Sequence, residues 1–235
     1  MRDLGKRQRA AIEAVAKRFS ATWEMGSDPP DAFILVAGKR VAVDITILKP
    51  RGGGQDNAAK PRLRFDKVAT RVMERLQANL GETVPDGTIV VLTVTAPIRL
   101  ASKTAASLED KITALLGRRS PGRDEEGTIH GNRIRIRLLR GTAQRAPKLI
   151  GFVHNSDSDP LLLMNMTGEL LDLMQAECAR PAPRFAGERW LVVISTAGIS
   201  CLEAYQHIHS QLRMTTDLKK ILMVFADGRV GILAG

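Results

Sequence analysis

Two aspartates, Asp31 and Asp44, stand thirteen residues apart, one at the head of a short apolar run and one inside the next. The runs, Ala32 to Val36 and Val41 to Leu48, are β-branched and apolar, and Ala37-Gly38-Lys39-Arg40 between them has tight-turn composition, which predicts a hairpin. Side chains alternate along a strand, so Ala42, Asp44, Thr46 and Leu48 share the face opposite Val41, Val43, Ile45 and Ile47. An acid therefore interrupts a strand that otherwise reads as buried. With Val36 paired to Val41 across the turn, Asp31 lies opposite Thr46 and diagonal to Asp44 on one face, about 7–8 Å away. Two bare carboxylates at about 6 Å repel by roughly 2–3 kcal/mol at an effective dielectric near 20. Such a pair asks for a cation or a shared proton, and Mg²⁺ is the natural filler. A register slip of one residue would send the two acids to opposite faces.

The surrounding elements must hold that hairpin in place. Leu4 to Ser20 carries Ile12, Val15, Ala16 and Phe19 at helical spacing and reads as an amphipathic helix. Trp23 to Met25 reads as a short strand, and Ser27-Asp28-Pro29-Pro30 stops regular structure ahead of Asp31. Residues 50 to 61 read as a loop. Phe65, Val68, Ala69, Val72, Leu76 and Leu80 mark a second helix, Thr88 to Ile98 a strand and Ala105 to Leu116 a third helix. Gly117 to Asn132 reads as a mobile polar loop. Strands at Arg133 to Leu139 and Leu149 to Val153, a helix from Pro160 to about Ala179, a strand at Trp190 to Ser195, a helix near Ile199 to Leu212 and a hairpin at Ile221 to Leu233 follow. This order predicts the α/β class: a mixed β-sheet flanked by helices, with residues 1–116 as a core and residues 117–235 as a C-terminal α/β extension packed with it.

The stretch Asp28-Pro-Pro-Asp31-Ala-Phe-Ile-Leu-Val, followed by Lys39-Arg-Val-Ala-Val-Asp44-Ile-Thr46, resembles the PD-(D/E)XK nuclease superfamily, the restriction-endonuclease-like fold, over roughly residues 1 to 98. The resemblance implies an αβββαβ core, with Asp31 and Asp44 as Mg²⁺ or Mn²⁺ ligands and the Ile45 carbonyl as a third. It also implies a glutamate from the first helix, Glu13, with Glu24 as the rival. Thr46 stands where that pattern has lysine, and a hydroxyl cannot supply the charge that lysine gives to the attacking water and the phosphate. Some members carry the lysine on the following helix. Here Arg64, Lys67, Arg71 and Arg75 share a flank about 80° wide, and Lys67 is the expected replacement. The resemblance implies a metal-dependent nuclease acting on DNA, with Asp31, Asp44, Thr46 and Lys67 at its centre. The alternative is a nuclease-like module without catalysis that binds nucleic acid or serves assembly.

Charge points to the same class of partner. The net charge is +10, and residues 1 to 150 hold 28 basic against 16 acidic side chains. Such an excess attracts polyanions, and with 4% aromatic residues there are few rings to stack splayed bases, so double-stranded DNA is the expected partner. Arg51 and Lys60, flanking Gly52-Gly53-Gly54, join Arg64, Lys67, Arg71 and Arg75 as expected nucleic-acid contacts. Arg133, Arg135 and Arg137 alternate with apolar residues and read as phosphate contacts or as a charge-protected edge strand, the second preferred. A second copy of the chain is carried as a further partner. No apolar run approaches the roughly 20 residues of a membrane span. The N-terminal cations precede no apolar stretch, so the expected compartment is the cytoplasm. Cys178 and Cys201 lack metal-ligand spacing and read as buried apolar side chains, and His207 and His209 read as surface residues.

Overall fold

The computed structural model describes residues 4–27, 29–49, 67–118, 124–141, 148–154, 160–180, 185, 187–212, 214 and 216–235. Its elements run α1 (Lys6–Arg18), β1 (Thr22–Met25), β2 (Ala32–Val36), β3 (Lys39–Ile47), α2 (Lys67–Leu80), β4 (Thr88–Thr95), α3 (Ala101–Gly117), β5 (Asp124–Ile129), β6 (Asn132–Arg140), β7 (Leu149–His154), α4 (Pro160–Cys178), β8 (Arg189–Ile194), α5 (Leu202–Leu212), β9 (Lys220–Val224) and β10 (Val230–Ala234). The protein is mixed α/β, with a six-stranded sheet ordered β1-β2-β3-β8-β9-β10 and a four-stranded sheet ordered β5-β6-β4-β7. Two compact units result: residues 1–50, 176–209 and 215–235, and residues 51–175 with 210–214. The boundaries fall at 50/51, 175/176, 209/210 and 214/215. Among the described residues no helix is long and apolar enough to cross a membrane.

In the first unit, α1 lays Ala11, Ile12 and Val15 on the sheet face that carries Ala32, Ile34, Val41, Val43, Ile45, Trp190 and Val192. Five of the nine residues of β3 are buried in an unbroken run, Val41 to Ile45, because neighbours flank it on both sides. The opposite face bears Leu191, Val193, Ile221 and Met223, all buried. There α5 packs so closely that a Cβ on Gly231 would lie 2.6 Å from Leu202. The strand beside β3 is β8, paired in parallel with Ala42 opposite Arg189. The expectation that residues 88–98 complete this sheet is corrected: β4 pairs with β6 and β7 in the second sheet. A parallel partner is chosen by a crossover connection and not by adjacency in sequence, so two apolar strands such as β4 and β8 compete for it without a local signal.

The hairpin register is corrected as well. Val36 pairs with Lys39 and Ala32 with Val43, so the turn is the two residues Ala37-Gly38. Both have positive φ, 48° and 77°, the turn whose twist matches paired strands. The shift from the expected pairing is two residues, which preserves parity. One step past the ladder, Asp31 stands opposite Asp44.

In the second unit, α2 and α3 cover one face of the four-stranded sheet through Val72, Leu76, Leu108 and Ile112. The expected mobile loop at 117–132 contains a strand instead: β5 pairs antiparallel with β6 around the His130-Gly131 turn. That pairing sets Asp124 opposite Arg137 and Glu126 opposite Arg135. The arginine ladder is thereby spoken for within the unit. Arg137 holds Asp124, and its Nη1 donates to Asn165 at 2.9 Å, while Arg133 and Arg135 hold Glu126. The strand at the sheet edge is β5, not β6.

Candidate functional site

Asp44 lies on the central strand of the first unit, its side chain only 6% exposed. Burying a carboxylate costs several kcal/mol unless a partner meets it. The partner is Arg189, whose Nη2 donates to Asp44 Oδ2 at 2.9 Å from the neighbouring parallel strand. Register explains the meeting: Arg189 pairs with Ala42, two residues from Asp44 on the same face. The other guanidinium branch, Nη1, donates to Asp217 ahead of β9. Burial opposes the Arg189 charge, but the hydrogen bonds to Asp44 and Asp217 outweigh it and hold the guanidinium above its ordinary value.

Asp31 performs a different task. Its Oδ2 accepts the Ile45 backbone N–H at 2.7 Å. β2 has ended at that level, so without Asp31 a central-strand donor would lose its partner. Gly26 sets the loop that delivers it, donating its N–H to the Asp31 carbonyl at 3.0 Å. A third acid, Glu177 at the C-terminal end of α4, closes the cluster with its side chain 4% exposed and paired to Arg180 at 3.2 Å. Burial pushes the Glu177 carboxyl above its ordinary value, and the charges of Asp44 and Asp31 push the same way against Arg180 and Arg189. A cavity of about 340 Å³ opens here, lined by Glu177, Cys178, Arg180, Arg189, Thr216 and Asp217 among others.

A raised carboxyl binds its proton more tightly in the folded chain than in the unfolded one. Its stabilising contribution is therefore complete below the ordinary carboxylate range and is lost as pH rises through the raised value. Glu177→Gln keeps the shape and removes that loss. It is expected to melt above the wild type at pH 7.5, with the gap closing as pH falls toward 4, a pattern that thermal melts at several pH values check directly.

The expected site residues are dispersed more widely than the sequence suggests. Asp31, Asp44 and Thr46 share one face of the sheet, with Thr46 opposite Val193. Glu13 is exposed on α1, which covers the other face, so Glu13 does not join the two aspartates. Glu24 pairs with Arg40 at 2.6 Å on the exposed outer strand. The Ile45 side chain points into the α1 core, and its N–H is what meets Asp31. Lys67 opens α2 in the second unit, where Arg71 is exposed and Arg75 donates to Glu109 at 2.9 Å. Arg51, Lys60 and Arg64 lie outside the described residues.

Glu177 and Arg189 are the functional candidates that sequence reasoning missed. Cys178 is exposed, against expectation, and burial together with Glu177 and Asp217 pushes its thiol up, so it is no ready thiolate. His207 and His209 are partly buried rather than on the surface, and burial pulls both imidazoles down.

A Mg²⁺ ion takes near-octahedral oxygen ligands at about 2.0–2.1 Å. Here one Asp31 oxygen is committed to a backbone donor and one Asp44 oxygen to a guanidinium, whose charge would repel a second cation on the same carboxylate. Among the described residues no group of three or more His, Cys, Asp or Glu side chains is placed to hold a metal ion. The residues as arranged do not fit a divalent ion: the cation on Asp44 is Arg189. No family model matches the chain, and neither a curated protein nor a solved structure matches it.

Proposed function

We propose that the chain is a nucleic-acid-binding module built around a nuclease-like pair of aspartates that does not hydrolyse phosphodiesters. The observation that carries this reading is the Arg189 guanidinium on Asp44 at 2.9 Å, in the place where hydrolysis would need a metal ion. Thr46 supports it, since the position that would steer an attacking water offers no charge. The net charge of +10 supports the polyanion partner, and the excess belongs to both units, with 15 Lys and Arg against 11 Asp and Glu in the first and 20 against 14 in the second.

A second reading, metal-dependent cleavage of DNA, is favoured by one observation. Asp31 and Asp44 do come to one face at directly opposed positions, as that chemistry requires. Duplex DNA incubated with the protein and Mg²⁺ or Mn²⁺ separates the two readings. The module binds with an affinity that falls steeply between 50 and 200 mM salt, about 10³–10⁵-fold for 6–10 phosphate contacts, and leaves the strands intact. Cleavage that vanishes in both Asp31→Ala and Asp44→Ala would establish the nuclease instead.

A further inference from the structure

We infer that the phosphate backbone docks on the outward face of α1, across the sheet from Asp31 and Asp44. The inference rests on the nucleic-acid-binding reading and gives it a surface. The exposed residues of α1 include Lys6, Arg7, Arg9, Lys17 and Arg18, against the single acid Glu13. At 3.6 residues per turn, Lys6 and Lys17 fall within about 20° of each other, as do Arg7 and Arg18, and each pair spans about 16 Å along the axis. The face is thus two rows of cations. Lys6, Arg7, Lys17 and Arg18 have no acidic partner among the described residues.

Helix stability does not account for this arrangement. Lys6 and Arg7 occupy the first turn, where the macrodipole disfavours cations by about 0.3–1 kcal/mol each, and no acid stands there to offset them. The sheet adds to the same side: Lys39 pairs with Val36, and Lys220 pairs with Trp190 and lies over its ring at 5.9 Å, both on the face that α1 covers. The opposite side gathers Asp31, Asp44, Glu177 and Asp217, whose two arginines are already engaged by acids. A phosphate approaching there meets four carboxylates whose described arginines are taken. On the α1 side it meets Lys6, Arg7, Lys17 and Arg18, exposed and without an acidic partner among the described residues, and counterion release favours docking.

Fluorescence anisotropy of a labelled duplex across a salt series tests the placement. The variant Lys6→Gln, Arg7→Gln, Lys17→Gln, Arg18→Gln is expected to bind at least about tenfold more weakly at 50 mM salt and to lose about 3.6 of the salt slope, about 0.9 per phosphate contact. Glu13→Lys replaces the single acid of α1 and is expected to bind more tightly with a steeper slope, a gain that misfolding cannot mimic. Arg71→Gln with Arg75→Gln, on α2, tests the rival surface that the sequence suggests and is expected to weaken binding less than the fourfold variant does. Unchanged binding in the fourfold variant, or loss confined to the α2 variant, overturns the placement on α1 while leaving the nucleic-acid reading intact. Failure of the wild type to bind at 50 mM salt overturns that reading itself.

Discussion

Arg189→Met is expected to destabilise the first unit by about 3–5 kcal/mol, the usual cost of removing one partner from a buried ion pair. The side chains of Arg189 and Asp44 are 11% and 6% exposed, so solvent cannot replace the lost partner. Methionine fills much of the volume but leaves Asp44 charged and unmet beneath the sheet, and Asp217 loses its contact as well. For a chain of this length the change corresponds to a melting point lower by roughly 10 °C. Both tryptophans, Trp23 and Trp190, lie in the first unit, so urea denaturation followed by tryptophan fluorescence reports on the affected part alone. A midpoint that falls with an unchanged slope reports lost stability and nothing else. Arg189→Lys, which keeps the charge but reaches only one carboxylate well, is expected to fall between the two.

Gly26→Ala is the second large effect. An added Cβ would lie 1.8 Å from the Pro30 carbonyl oxygen and 2.8 Å from the Asp31 carbonyl carbon, all backbone, so no rotamer change relieves the clash. The loop must move, and Asp31 moves with it. Overpacking of this kind costs about 1–3 kcal/mol, and a backbone obstruction belongs at the upper end. The local consequence is sharper than the global one. With Asp31 displaced, the Ile45 N–H loses its acceptor, so its amide hydrogen exchange is expected to accelerate well beyond that of Val43 on the same strand. Equal protection of Ile45 in wild type and variant would mean that Asp31 does not cap β3.

What the sequence made legible, and what it hid, follows from the range of the forces involved. Two acids on one face of a hairpin could be read because alternation along β3 is a local rule, and the two-residue error in register preserved parity. The error arose because alanine at φ 48° in Ala37-Gly38 is an unusual occupant of a turn that Asn or Asp normally marks. Arg189 lies 145 residues beyond Asp44, and no pattern near either residue announces the pairing. Glu177, at the end of a helix whose apolar stretch gives it away, carried no mark of its role.

β5 was hidden for another reason. Asp124-Glu125-Glu126 has poor strand propensity on its own, and only the arginines opposite make it a strand. That signal was present: acids and arginines sit at mirrored distances from His130-Gly131, and the charge ladder could have been read as a hairpin. Asn132, buried after that turn, secures it by donating to the Arg99 and Ile129 carbonyls and accepting the Arg99 N–H.

The most direct measurement of whether a side chain supplies the cation at Asp44 is a double-mutant cycle of Asp44→Asn and Arg189→Met, by urea denaturation in EDTA and again in Mn²⁺. The geometry predicts a coupling of about 1–3 kcal/mol between the two positions, identical in both buffers, and a wild-type midpoint that Mn²⁺ does not move. Coupling near zero in EDTA, or a wild type stabilised by Mn²⁺ through Asp44, would show that a metal ion and not Arg189 balances this carboxylate.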